Sequence, residues 1–220
     1  QKNLLRLHFT MADNPSLAPE IKQRYETMYT GVFHRRYILG QWCMAEGLVY
    51  DFCREKHVTE KLPRSGTYYI SVDYGTMNPF SAGLWWVGSS AIRIREFYHD
   101  GRKEGSLTDE EYYNSLEDLA GSYPIEFIII DPSAASLITL IRRRGRFSVR
   151  KAKNAVVPGI RLVSSLLKAG KLQFCENCRD TIREFGLYRW SDDGDVPVKE
   201  NDHAMDDVRY FCMSVMARHQ

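Results

Sequence analysis

The chain predicts an α/β fold on a mixed sheet, an antiparallel meander at its start and parallel additions afterwards, flanked by helices. Three observations carry this. TYYISVDYG, FSAGLWWVG and AIRIREFYH follow one another closely from Thr67, the last two separated only by a tight Gly88-Ser89-Ser90 turn, as in hairpin-linked strands. IEFIIID (125–131) is a continuous apolar run of the kind buried on both faces of a sheet. After the meander, helical and strand patterns alternate, the order that adds parallel strands.

Ahead of the sheet, residues 1–63 read differently. DNPSL (13–17) is a turn and helix-start signal, since Asn14 before Pro15 disfavours helix and Ser16 is available to cap. A helix is expected over about 17–29, stopping at Gly31. YILGQW and GLVYDF are short aromatic-rich pieces with no core of their own, so this region reads as a connector or wrapping arm. REKHVTEKLPRSG (54–66), with Pro63 and Gly66, is the best boundary, dividing the chain into an arm (1–63) and a folded domain (64–220).

Within that domain the first strand ends at Asp73 and the fourth at Asp131. Residues 107–121 predict an acidic helix closed by Gly121, and a helix at about 135–144 leads into a short strand in FSVRKAK (147–153). Pro158 is expected to open the next helix and Gly170 to stop it. KLQF (171–174) reads as a small strand, and a helix follows over about 177–189. In WSDDGDVPVKEN (190–201), Asp193-Gly194 suits a hairpin turn. The last helix begins within ENDHAMDDVRYF (200–211), where Ala204, Val208, Phe211 and Val215 form one apolar stripe. Trp85 and Trp86 read as sheet-face core rather than as a platform for stacking bases.

With 220 residues, 44% of them hydrophobic and 26% charged, the chain can bury one substantial core. A net charge of +2 selects no class of partner, although Arg142, Arg143, Arg144, Arg146, Arg150, Lys151 and Lys153 crowd one stretch. No apolar run approaches the ~18–20 residues needed to span a bilayer, and no signal-peptide pattern opens the chain, so no membrane partner is expected. The start at Gln1 suggests a piece of something longer. Cysteines 43, 53, 175, 178 and 212 form no framework, and the Cys175/Cys178 pair lacks the second half of a zinc site. They read as incidental thiols of a reduced cytosolic chain.

Chemistry concentrates in three places. Asp73 and Asp131 each close an apolar strand, and functional groups gather at the carboxyl ends of strands in open α/β sheets. Either one alone also suits a turn. His203, Asp206, Asp207 and Tyr210 fall along one flank of the last helix, where helix-end electrostatics is the plainer explanation for the acids and Asp202 the simplest N-cap. Together the three places make a set of carboxylates that stays ionised only around a cation. Oxygen-rich ligands suit Mg²⁺ or Mn²⁺, and the imidazole fits Mn²⁺ more comfortably. Two such ions can drive phosphodiester hydrolysis.

In this order, SVDYGTMNPFSAGLW, FIIIDPSA and ENDHAMDDVRY resemble the nuclease domain of tailed-bacteriophage terminase large subunits, an RNase H-like fold. The resemblance covers about 64–217, and DNPSL, TGVFHRRYILGQW and AEGLVYDF resemble the family's link to its ATPase domain. It implies that Asp73, Asp131, His203 and Asp206 bind two divalent cations, Mn²⁺ or Mg²⁺, with Asp73, Asp131 and Asp206 catalytic. Asp207 departs from the family, which has a small residue there. Helical geometry does not choose between Asp206 and Asp207, and the motif favours Asp206, leaving Asp207 as a supporting or surface acid. Glu184 and Tyr188 resemble a recurrent family pattern as well, with a supporting or surface role for Glu184 and core packing for Tyr188. No GxxxxGK[ST] occurs, so this chain is not expected to hydrolyse ATP.

The implied function is a metal-dependent endonuclease that cuts concatemeric viral DNA during packaging in the host-cell cytoplasm. The implied partners are double-stranded DNA, the terminase small subunit, the portal and the protein's own ATPase domain. The basic residues from Arg142 to Lys153 would contact phosphates, with Lys153 nearest the site, although arginines also suit a solvated helix end. A DNA-gripping or docking module without cleavage needs only those arginines. Another RNase H-like enzyme, of resolvase or transposase type, would not need the ATPase-link-like first 60 residues.

Overall fold

The computed structural model describes residues 7–41, 43, 47–61, 65–192 and 196–218. A six-stranded sheet in the order β5-β4-β1-β2-β3-β6 organises the chain. β1 (Thr67–Asp73), β2 (Phe80–Val87) and β3 (Ala91–His99) form the antiparallel meander, and β4 (Ile125–Ile130) lies parallel to β1. β5 (Val149–Lys151) extends the sheet beside β4, and β6 (Leu172–Phe174) extends it beside β3, both in parallel.

Period-two alternation divides the side chains between two cores. Ile70, Val72, Leu84, Trp86 and Ile128 pack against α5 (Asp109–Ala120) and α6 (Ala135–Arg144). Trp85, Phe127 and Ile129 pack on the opposite face with α7 (Val156–Lys168), α8 (Arg179–Phe185) and α9 (His203–Ser214). Both tryptophans are therefore core, one on each face. The apolar stripe of α9 is buried throughout, from Ala204 to Val215.

Local chemistry sets the helix ends. Thr108 and Glu111 make a reciprocal capping box that opens α5. Gly145, at φ 73°, takes the left-handed conformation that closes α6.

Residues before the sheet form α1 (Pro19–Met28), α2 (Gly31–Tyr37) and the single turn α3 (Arg54–His57). Gly31, expected to stop the first helix, instead begins the second, because Tyr29 and Thr30 are extended and end α1 earlier. Ser16 caps nothing; its N–H donates to Asn14 Oδ1 in a local turn, and Pro19 supplies the first position of α1. Val32, Phe33, Val49 and Tyr50 join the same core as α9, with Phe33 edge-on to Trp190.

Other boundaries shift. α7 starts two residues ahead of Pro158, which sits within its first turn. α8 is shorter than expected and ends at Phe185 before Gly186. The short α4 (Gly101–Glu104) was not anticipated; Asp100 caps it by accepting from the Arg102 N–H. Leu62, Pro63 and Arg64 of the expected boundary, and the Asp193-Gly194 turn, lie outside the described residues, although Trp190 and Pro197 on either side of that turn pair as an antiparallel bridge.

Gly83 on β2 leaves space for a charged group from β3: a Cβ there would fall on the Arg93 guanidinium. Gly83→Ala is expected to destabilise the fold by about 1–3 kcal/mol through overpacking, read as a lower urea midpoint with unchanged slope. An unshifted midpoint would show that Arg93 can move aside.

Candidate active site

Alternation on β1 turns Ser71 and Asp73 toward α9, while Ile70 and Val72 face the other core. The β1–β4 ladder pairs Val72 with Ile130 and runs one step further, the Asp131 N–H donating to Val72 O at 3.2 Å. Asp73 and Asp131 therefore leave neighbouring parallel strands at the same edge. Asp131 is held on both oxygens: Oδ1 accepts from the Ser133 N–H at 2.7 Å, and Oδ2 accepts from the Tyr210 hydroxyl at 3.0 Å.

α9 brings the third group. His203 Nδ1 lies 2.9 Å from Asp73 Oδ2, and Asp206 Oδ1 is paired with Arg209 at 2.7 Å. Arg209 also donates to Asn154 O, tying this helix to the turn before α7. Asp202 occupies the N-cap position, yet its side chain makes no capping hydrogen bond. A buried helix-end donor is met by Glu184 of α8 instead, which accepts from the Ala204 N–H at 2.7 Å and from the Tyr98 hydroxyl at 2.6 Å.

Asp73, Asp131, Asp202, His203, Asp206 and Tyr210 line one polar cleft of about 550 Å³. Burial pushes the Asp73 carboxyl up to about 7, the Asp206 and Asp207 charges adding to the rise while His203 opposes it. Burial alone would lower the His203 imidazole, but the Asp73 and Asp202 carboxylates raise it.

Of the four residues on the flank of α9, the structure brings His203, Asp206 and Tyr210 to the cleft and turns Asp207 into the core. Asp207 accepts from Ser71, from Ser81 at 2.8 Å and from Arg93 at 2.7 Å, all buried. Neither Asp207 nor Glu184 is a surface acid, since both are fully buried. Burial pushes Asp207 up to about 6 against the pull of Arg93 and the two serines. Tyr188 is core, as expected. Sequence reasoning missed Ser71, Ser81 and Arg93. The signal was there in part: Ser71 and Ser81 interrupt apolar runs, and Arg93 stands between Ile92 and Ile94, where a strand-interior charge needs a buried partner.

The basic stretch does not converge on the cleft. Arg144 pairs with Glu110, Arg146 pairs with Glu117, and Arg150 lies over the Phe127 ring at 3.7 Å. Arg142, Arg143, Lys151 and Lys153 are exposed, but none of the seven lines the cleft; the following residue, Asn154, does. Other cleft residues that sequence reasoning did not single out are Asn78, Arg102 and Lys199.

Among the described residues, no three His, Cys, Asp or Glu side chains are gathered tightly enough, as they stand, to share a metal ion. The donor chemistry nevertheless fits a divalent cation. Asp73, Asp131, Asp206 and His203 offer oxygen and imidazole ligands in one cleft, and a carboxyl pushed up to about 7 mainly by burial, with nearby acids adding to the rise, is one whose charge a cation would stabilise.

No protein-family model matches the chain, and no curated protein matches it. Solved structures do. The chain is 44% identical to the large terminase of a thermophilic bacteriophage, solved in complex with ADP, with a TM-score of 0.89 over 97% of this chain and 56% of that one. It therefore spans little more than half of that terminase. The nuclease domain of the P22 large terminase matches at 20% identity and a TM-score of 0.64, over 80% of this chain and 95% of that one. A large terminase nuclease from thermophilic phage G20c with bound magnesium matches at 12% identity and 0.51, over 77% and 87%. These last two are likenesses of fold, and the fold they share with this chain is RNase H-like.

Proposed function

We propose that this chain, which belongs to the bacteriophage large terminases, is a divalent-metal-dependent endonuclease that cuts duplex DNA during genome packaging. The observation that carries the reading is the meeting of Asp73, Asp131, His203 and Asp206, from two strand ends and one helix, in a single open cleft. In this reading residues 64–220 are the nuclease and residues 1–63 the arm from an ATPase domain. The small subunit, the portal and the host-cell cytoplasm follow as the expected partners and setting.

Asp73, Asp131, His203 and Asp206 would hold two cations, Mg²⁺ or Mn²⁺. Bound there, they would supply an activated water and neutralise charge on the phosphodiester. The chain's own groups do the positioning. Tyr210 and the Ser133 amide fix both oxygens of Asp131, so its carboxylate does not have to be ordered at the moment of reaction. His203 orients Asp73, and Arg209 holds Asp206 against α9. Glu184 fixes the start of the helix that carries both.

Supercoiled plasmid is expected to be nicked with Mn²⁺ and left intact in EDTA. Binding without nicking at any metal concentration would favour a gripping module over an enzyme.

A further inference from the structure

We propose that Arg102 and Lys199 are the cleft's phosphate contacts, holding the backbone of duplex DNA against the acids. The inference rests on the nuclease reading and names the residues by which that site would grip its substrate.

A cleft walled by Asp73, Asp131, Asp202 and Asp206 repels a polyanion unless fixed cations stand beside it. Arg102, Lys199 and Arg209 are its lysine and arginine members. Arg209 is committed to Asp206 and to Asn154 O. Arg102 and Lys199 are different. Arg102 is exposed and donates to the neutral Asn78 side chain at 2.5 Å, with no ion pair among the described residues. Lys199 is exposed, and among the described residues it makes no hydrogen bond or ion pair; burial raises the Asp202 carboxyl, and the Lys199 charge offsets only a small part of that rise.

Backbone packing pins Arg102 in place. A Cβ at Gly101 would fall on Thr76 O, and one at Gly75 would fall on the Asn78 and Pro79 carbonyls. Gly101 therefore lets the first turn of α4 close on the 74–79 loop, and Gly75 lets that loop fold back on itself. That approach sets the Arg102 guanidinium beside Asn78 at the cleft. Arg102 reaches the cleft from the β3 side of the sheet and Lys199 from the segment leading into α9. The contrast with the 142–153 stretch is energetic: Arg144, Arg146 and Arg150 already have partners, and a committed guanidinium releases little when a phosphate arrives.

Contacts to phosphate are read by salt. Equilibrium binding of a short labelled duplex is measured in EDTA, where no cleavage occurs, over a range of salt concentrations. Arg102→Gln and Lys199→Gln are each expected to flatten the slope of log K against log salt by about 0.9, and the double variant by about twice that. Arg102→Gln keeps a donor for Asn78, so loss of loop anchoring would not imitate the effect, and Arg102→Lys should restore the slope. Lys199→Gln removes no hydrogen bond or ion pair among the described residues and reads the same charge at an exposed position. Wild-type slopes in both Gln variants, with the fall appearing in Arg142→Gln/Arg143→Gln instead, would overturn the assignment alone. Failure of the wild type to bind duplex would overturn the nuclease reading and this inference together.

Discussion

Asp73→Asn is expected to reduce plasmid cleavage by at least about 100-fold while leaving the melting temperature unchanged or higher. Groups that merely orient metal ligands are typically worth about 10–100-fold, so a direct ligand should exceed that. Asparagine conserves volume and can still hydrogen-bond His203, so the fold loses only a carboxyl that burial already disfavours as an anion. Asp131→Asn should behave alike, because the amide can accept from Ser133 and donate to the Tyr210 oxygen. The measurement is nicking rate with Mn²⁺ beside thermal melts in EDTA. Near-wild-type cleavage in either variant would remove that residue from the site.

Arg93→Met should produce the largest loss of stability, about 3–5 kcal/mol, by stranding the Asp207 carboxylate in the core. In a chain of this size that corresponds to a fall of roughly 6–20 °C in melting temperature. Asp207→Ala strands the guanidinium and should cost about as much. The double variant Arg93→Met/Asp207→Leu should recover most of the loss, since apolar groups often replace a buried ion pair without penalty. Losses that simply add in the double variant would show that the two charges are not coupled.

The pH dependence has a definite sign. Without Arg93 the buried Asp207 carboxyl rises above its present value of about 6, so the folded state binds a proton that the unfolded state, with its ordinary carboxyl near 3.8, releases. Stability then falls as pH rises between those values, and the deficit of Arg93→Met should shrink as pH is lowered toward about 5. A deficit independent of pH would argue against a stranded carboxylate.

The legible part of this molecule was whatever a single segment can state. Successive strand-rich runs with a tight turn between the last two marked β1 to β3, the apolar run marked β4, and the strand-end positions of Asp73 and Asp131 followed from those patterns alone. The stripe of α9 was equally plain. What a segment does not contain is its rotation against a neighbour. His203 lies at similar angles to Asp206 and Asp207 around the helix, and the orientation became fixed only when Ser71, Ser81 and Arg93, on three adjacent strands, made a polar hole that takes Asp207. The cap on α9 was misjudged for a related reason: Glu184 lies 20 positions away from the amide it satisfies. Arm residues such as Phe33 read as coreless because their partners, Trp190 among them, come more than a hundred residues later.

Trp85 sits where α9 meets the sheet, with its ring 3.9 Å from that of Phe211 and parallel to within 1°, and its indole N–H donating to Ser71 Oγ. The consequence is optical. A dry indole stacked on a helix side chain emits in a blue-shifted band, and that band persists only while the helix is seated. The same Ser71 hydroxyl that accepts the indole N–H donates to Asp207, so the chromophore is linked to the buried pair beneath the cleft. Subtracting the spectrum of Trp85→Phe from that of the parent therefore isolates a light signal that follows the docking of the helix bearing His203 and Asp206, with no label attached and no substrate present.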